Sequence, residues 1–411
     1  MEVIISESVV SGIRTCRQTV LFAGGQPEGL AYSLFLWDNP AVCLLSTFPL
    51  LIMEAVPAPF WFVQFFKVVG FVLHMVPMGI WFAGLPIVIL CALWNCERSR
   101  FYSRRMVSQL PVMMALGINF GIVPLLFLQT AYYKAFYTAT ILTAWYWIAV
   151  IPILIVGYYS LYIAAYSGER RGRMILFSIL ASLCLVCIGL LITNGLTLMV
   201  SSEKWATMID QTSYYGAVLG TANNFSDPTL WMRLVTMFGL GLLTAGVWAT
   251  FDAHFLNPKN APETYRQWTT TLAVLLTFVG TLILVHTAWV VETKKDSYLA
   301  LAVAYPYFGI VLFACMVFMI LLVSILTKTY SRGLVGMATA CQFLTLAAFG
   351  VIRQIGQNNG VAKFVDVSRL PEAVQWDTLI AFVVCFLLGV GVIVWMVAQC
   401  VKCSSSPMSE A

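Results

Sequence analysis

An all-α, polytopic membrane protein of about nine transmembrane helices is the fold class this sequence predicts, and three observations predict it. Of its 411 residues, 60% are hydrophobic and only 10% are charged, against about 25% charged in soluble domains. The apolar residues gather in runs long enough to cross hydrocarbon, which takes about 20 residues per helix. The aromatic content is 14%, and Trp and Tyr collect at the ends of those runs, as interfacial belts require.

Taken in order, the spans fall at about 62–95, 106–132, 139–166, 174–201, 229–254, 267–291, 303–328, 333–353 and 378–401. Alternate connections carry the basic charge: Glu97 to Arg105 holds Arg98, Arg100, Arg104 and Arg105, and the third holds Arg170, Arg171 and Arg173. Lys259 with Arg266 and Lys328 with Arg332 complete the series, whereas the connection 202–228 carries Glu203, Asp210 and Asp227. The positive-inside rule therefore puts the odd connections and the C-terminus in the cytoplasm, with the first span starting outside. The expected location is the inner (cytoplasmic) membrane of a prokaryote.

Three segments follow from this division: 1–59 as an outer-side or interfacial segment, 60–401 as the membrane domain and 402–411 as a disordered cytoplasmic tail. Within the first, two apolar stretches flank Asp38-Asn39-Pro40, which reads as a broken tenth span or an interfacial segment. Residues 1–28 lack the apolar core of a cleavable signal peptide. The net charge of +5 is loop asymmetry rather than a nucleic-acid footprint. Most of the eleven cysteines sit singly inside spans as small apolar residues. No Cys-x-x-Cys-His occurs, so the chain attaches no c-type haem itself, and Cys400 with Cys403 lacks the second pair a metal site needs.

Only three histidines occur. His74 lies inside the first span, where a titratable imidazole is expensive unless something uses it. Axial ligation of haem iron is one use, and a neutral ring bonded to a neighbouring helix is the plain alternative. His286 stands near the outer end of the sixth span at a similar depth, so the two would be able to share one iron or one quinone; an interfacial imidazole is the simpler reading. His254, beside Asp252 at the cytoplasmic end of the fifth span, reads as an ordinary interface residue. Arg353-Gln354 closes the eighth span, where the arginine fork would suit a haem propionate or a quinone oxygen, or simply snorkel. Snorkelling accounts for Lys67 and Arg233. Asn119 and Asn194 read as interhelical hydrogen bonds, and Met75, Met78 and Met316 as packing. No carboxylate lies deep in a span, and no phosphate loop, hydrolytic triad or metal-ligand cluster is present.

From about residue 60 to 401 the chain resembles the large quinol-oxidising subunit of the cytochrome bd oxidase superfamily. The stretch His74 to Gly84 is similar to its first span, Tyr159-Ser160-Leu161-Tyr162 to the end of its third, and Leu191 to Met199 to the end of its fourth. Trp231 to Met237 with Leu243-Thr244-Ala245-Gly246 resembles its fifth, and Arg353-Gln354 matches the Arg-Gln of its eighth. The resemblance implies nine spans with an outer N-terminus and a haem-ligating role for His74. The departures matter as much. The family's other haem ligands fall on Thr236, near Val311 and on Gly350, its proton-path glutamate falls near Ile155, and its long outer quinol loop shrinks to roughly 292–302.

Oxygen reduction needs an open haem iron with a proton supply, and most parts for both are missing. The resemblance thus implies a divergent member that is not an oxygen reductase. It would be a membrane subunit passing electrons between the quinone pool and an outer-side partner bearing cytochrome c haems or iron–sulfur centres. One b-type haem would hang on His74, with His286 as second ligand or quinone contact and Arg353 pairing with propionate or quinone oxygen. A haem-free membrane anchor for a peripheral oxidoreductase is the alternative. A transporter is disfavoured because mid-membrane charge and a repeat are absent.

Overall fold

Apolar runs this long have one stable outcome in hydrocarbon, because every backbone N–H and C=O must find a partner within its own helix. The computed structural model describes residues 55–94, 96–256, 261–262, 264–293 and 300–405, and among these nine helices are long and apolar enough to cross a membrane. The broken tenth span or interfacial segment expected within 29–59 lies, up to residue 54, outside the described residues.

The first two spans form a hairpin. Helix α1 (Phe60–Trp94) and α2 (Glu97–Ala131) are joined by a reciprocal cap in which Cys96 Sγ accepts from Ser99 N–H and Ser99 Oγ accepts from Cys96 N–H. Each contains two prolines, Pro77 and Pro86 in α1 and Pro111 and Pro124 in α2. Small residues let the pair approach closely: a Cβ on Gly70 would meet Val123 at 2.9 Å, and one on Gly117 would meet Trp81 at 3.2 Å.

The third span is shorter than its apolar run suggests. Helix α3 (Tyr133–Leu142) ends at Thr143 and α4 (Ala144–Ala165) begins afresh. The break is held from outside. Ala222 N–H donates to Leu142 O and Trp145 N–H to Gly220 O, so a returning loop takes the backbone groups that a continuous helix would have used.

Helix α5 (Arg171–Met199) is followed by α6 (Trp205–Thr212) and a small hairpin of β1 (Ser213–Tyr214) and β2 (Ala217–Val218), with Ser213 opposite Val218. Then come α7 (Pro228–Phe255), α8 (Tyr265–Thr293), α9 (Ala300–Leu326), α10 (Arg332–Ala362) and α11 (Trp376–Ser405). Asp227 caps α7 by accepting from Thr229 N–H, with Pro228 in the first helical position. Ser331 caps α10 through Leu334 N–H. Helix α11 runs past Val401 to Ser405, into the stretch expected to be disordered tail, because Lys402 continues its pattern with no breaker before Pro407. Residues 406–411 are outside the described set.

Helices α1 and α7 form the centre, each 61% buried over its most apolar window, and α10 follows at 50%. Helix α11 has none of its window buried and touches the bundle mainly through Leu379, Phe382 and Phe386. In a soluble protein such a face would be an error; in a bilayer it is what lipid covers. The lead-in to α11 also holds the start of α1: Val56 N–H donates to Pro371 O at 2.8 Å, and Phe60 N–H to Glu372 Oε1 at 2.9 Å.

Candidate functional site

The polar residues of α1 and α10 meet on one seam. On α1, Gln64, Lys67, Phe71 and His74 recur every three or four residues and so share a face. On α10, Gly350, Arg353, Gln354, Gln357 and Asn358 do the same. The helices run antiparallel, so the residues pair in ladder order. Gly350 abuts Val68 and Phe71, the Arg353 guanidinium carbon lies 4.6 Å over the Phe71 ring, Lys67 Nζ donates to Gln357 Oε1 at 3.1 Å, and Asn358 Nδ2 donates to Gln64 Oε1 at 3.0 Å.

His74 sits at the deep end of this ladder, half-buried, with its ring against α2. Its Nδ1 is 2.7 Å from Gly117 O. A carbonyl only accepts, so Nδ1 carries the proton of the neutral ring and Nε2 keeps the free lone pair. Gly121 makes the contact possible, since a Cβ there would lie 2.9 Å from Nδ1. A metal-binding imidazole usually has its other ring N–H held in this way by a carbonyl or carboxylate, which fixes the tautomer and the ring orientation. Arg353 stands within Coulombic reach of the ring. An imidazole with Nε2 unbonded and a guanidinium within Coulombic reach are groups that would suit a haem iron and a haem carboxylate.

Lys67 does not snorkel. It is 2% exposed, with Nζ 3.7 Å over the Tyr132 ring as well as bonded to Gln357. Around it runs an amide cage that the sequence did not reveal. The Tyr132 hydroxyl accepts from Gln64 Nε2 at 2.9 Å and Gln354 Nε2 at 3.0 Å, and donates to Asn358 Oδ1 at 2.5 Å. The phenol is thus held by three hydrogen bonds beneath the lysine. A seven-residue spacing of Gln64 with Phe71 and of Gln357 with Gly350 was the available signal, but amides at helix ends are too common to mark a site.

His286 is not brought to this seam. It is exposed on the outward side of α8, a helix that packs on α7 and α9. Asn119 bonds within its own helix, to Ala115 O at 2.8 Å, rather than across helices. Asn194 is fully buried and staples the loop instead, its Oδ1 accepting from Asn224 N–H at 2.7 Å. The three positions matching family ligands hold none: Thr236 Oγ1 donates to Met232 O of its own turn, Val311 is aliphatic, and the space at Gly350 is filled by α1.

At the opposite end of the bundle, Asp252 is 5% exposed and held bidentately by Arg105, at 2.5 and 2.6 Å, with Gln109 Nε2 donating at 2.7 Å. A cavity of about 10 Å³ adjoins it, lined by Tyr102, Trp248 and Tyr265 among others. His254 is no interface residue: it is 2% exposed, its Nδ1 bonded to Thr250 O and its Nε2 buried without a partner. Arg332 Nε donates to His254 O and Arg266 Nε to Ala253 O, capping the end of the same helix.

The chain is a multi-pass membrane protein whose fold is similar to that of a bd oxidase membrane subunit. It is similar to the structure of bd oxidase from Geobacillus thermodenitrificans, with a TM-score of 0.61 and 11% identity over 85% of this chain and 98% of that one. No family model and no curated protein matches the chain.

Proposed function

We propose that this protein is the membrane subunit of a respiratory electron-transfer complex, moving electrons between quinone and a partner on the side nearer His74. The observation that carries the reading is the His74 ring itself, tautomer-fixed by Gly117 O beside Arg353 in a bd-like bundle. His74 would hold the iron of one b-type haem through Nε2, and Arg353 would pair with its propionate or with a quinone oxygen. A haem so bound supplies one-electron chemistry. The chain's own residues orient the imidazole, keep Nδ1 protonated and place positive charge beside the site. A second carrier on a cytochrome c or iron–sulfur partner completes the path. Quinol protons leave on the same side, since Asp252 at the other end is committed to Arg105.

Thr236, Val311 and Gly350 are the reason the reading excludes oxygen reduction. The charge pattern supports an orientation with the His74 half outward and the C-terminus in the cytoplasm of a prokaryote. The test is a reduced-minus-oxidised visible spectrum with pyridine haemochrome on the purified protein. The wild type should show about one b-type haem per chain, lost in His74→Ala. A wild type without b-type haem would overturn the haem assignment and leave a haem-free membrane anchor for a peripheral oxidoreductase.

A further inference from the structure

Three cations lie together on the α1–α7–α10 seam, and none of them forms an ion pair among the described residues. The four pairs described use Arg104, Arg105, Lys204 and Arg369. Lys67 is within Coulombic reach of Arg353, and Arg353 of Arg233 on α7. Asp227 reaches Arg233 only at a distance and is itself bonded to Lys204. Buried like charges of this kind repel, and burying one without a counter-charge is costly.

The donors are also in surplus. Lys67 has three N–H groups, of which one meets Gln357 Oε1. That bond orients the Gln357 amide, so its Nε2 is left over; it is buried, on a residue 7% exposed, and has no partner. Arg353 makes a ring contact with Phe71 and no hydrogen bond among the described residues. A seam with positive charge and unused N–H groups lacks one thing, an acceptor with negative charge.

We propose that Lys67, Arg353 and the Gln357 amide form a binding site for an oxyanion, a phosphate or carboxylate group that enters at the Phe60 end of α1. Lys67 stands seven residues into α1, about 10 Å along its axis. Exposed Trp61 and Phe65 flank that end as an interfacial belt would. This is the depth of a phospholipid headgroup, so the source is a bound anionic lipid; a carboxylate of a cofactor is the other source of the same chemistry. The site shares Arg353 with the proposed haem, but Lys67 and Gln357 lie two turns from the His74 ring, so their part of the site remains when haem is lost.

The experiment measures phosphorus and haem together on the full-length protein after exhaustive detergent exchange, with native mass spectrometry to identify retained lipid. Wild type, Lys67→Gln/Arg353→Gln, His74→Ala and the exposed control Arg104→Gln are compared. The expected result is one anionic phospholipid per chain in wild type, Arg104→Gln and His74→Ala, falling by about tenfold or more in the double variant. Loss of haem in the double variant, with no phospholipid in wild type, assigns the site to a cofactor carboxylate instead and also supports it. A wild type that retains neither overturns the proposal, whatever His74→Ala shows. Should the double variant not fold, wild type alone is titrated with phosphatidylglycerol and phosphatidylcholine vesicles. A rise in Tm with the first only supports the site, and an equal response to both lipids overturns it.

Discussion

A single missing methyl group positions His74. Gly121 lets the ring lie flat enough on α2 for Nδ1 to reach Gly117 O, and Gly121→Ala would put a Cβ 2.9 Å from that nitrogen. The ring must then shift and the hydrogen bond is lost. We expect a loss of about 1–3 kcal/mol of stability, seen as a lower Tm, together with reduced b-type haem content if the iron is held there. Asp227 offers a second residue-scale test. Burial opposes its ionisation, but hydrogen bonds from Lys204 and Thr229 outweigh this and hold the carboxyl down at about 2, against an ordinary 3.8. Because the folded value is the lower one, the group stabilises the fold above about pH 4, and that contribution fades as pH falls towards 2. Asp227→Asn should therefore flatten the acid limb of a Tm-versus-pH curve; an unchanged limb would show that other carboxylates control it.

Pairs of helices, rather than single residues, hold the bundle's far end. Arg105 on α2 and Asp252 on α7 form a partly buried bidentate pair, their side chains 26% and 7% exposed, which ties the first hairpin to the central helix. Such a pair adds little net stability over a well-packed apolar one, yet breaking it strands a charge. We expect Asp252→Asn and Arg105→Met each to cost about 3 kcal/mol, with the double substitution costing much less than their sum in a thermal-unfolding cycle. An additive double substitution would mean the two side chains act independently. The α3–α4 break is also an element-scale effect. The apolar run continues through Thr143, and only the loop 219–222, by bonding to Leu142 O and Trp145 N–H, ends one helix and starts the next.

At the scale of the whole molecule, the sorting of charge predicts orientation. The basic connections lie at the Trp94 end of α1, so a C-terminal green fluorescent protein fusion should fluoresce and a C-terminal alkaline phosphatase fusion should be inactive. The opposite pair of results would invert the bundle and put the His74 half on the cytoplasmic side. The fold class and the nine spans among the described residues were legible in the sequence because both follow from the length and polarity of each run, which are local properties. His74 and Arg353 were legible as outliers, being polar groups where polar groups are costly. The cage of Gln64, Tyr132, Gln354, Gln357 and Asn358 was not, because each is unremarkable alone and becomes a site only when α1 and α10 meet in antiparallel register. The burial of Lys67 and His254 and the outward face of His286 were hidden for the same reason. Position along a helix gives depth in the membrane, but the direction a side chain faces is fixed by which helices become neighbours. The sequence by itself determined the nine membrane-crossing segments found among the described residues. Tertiary packing alone determined which polar groups share a seam, because hydropathy acts along each segment while hydrogen bonds and charges act only between groups brought into contact.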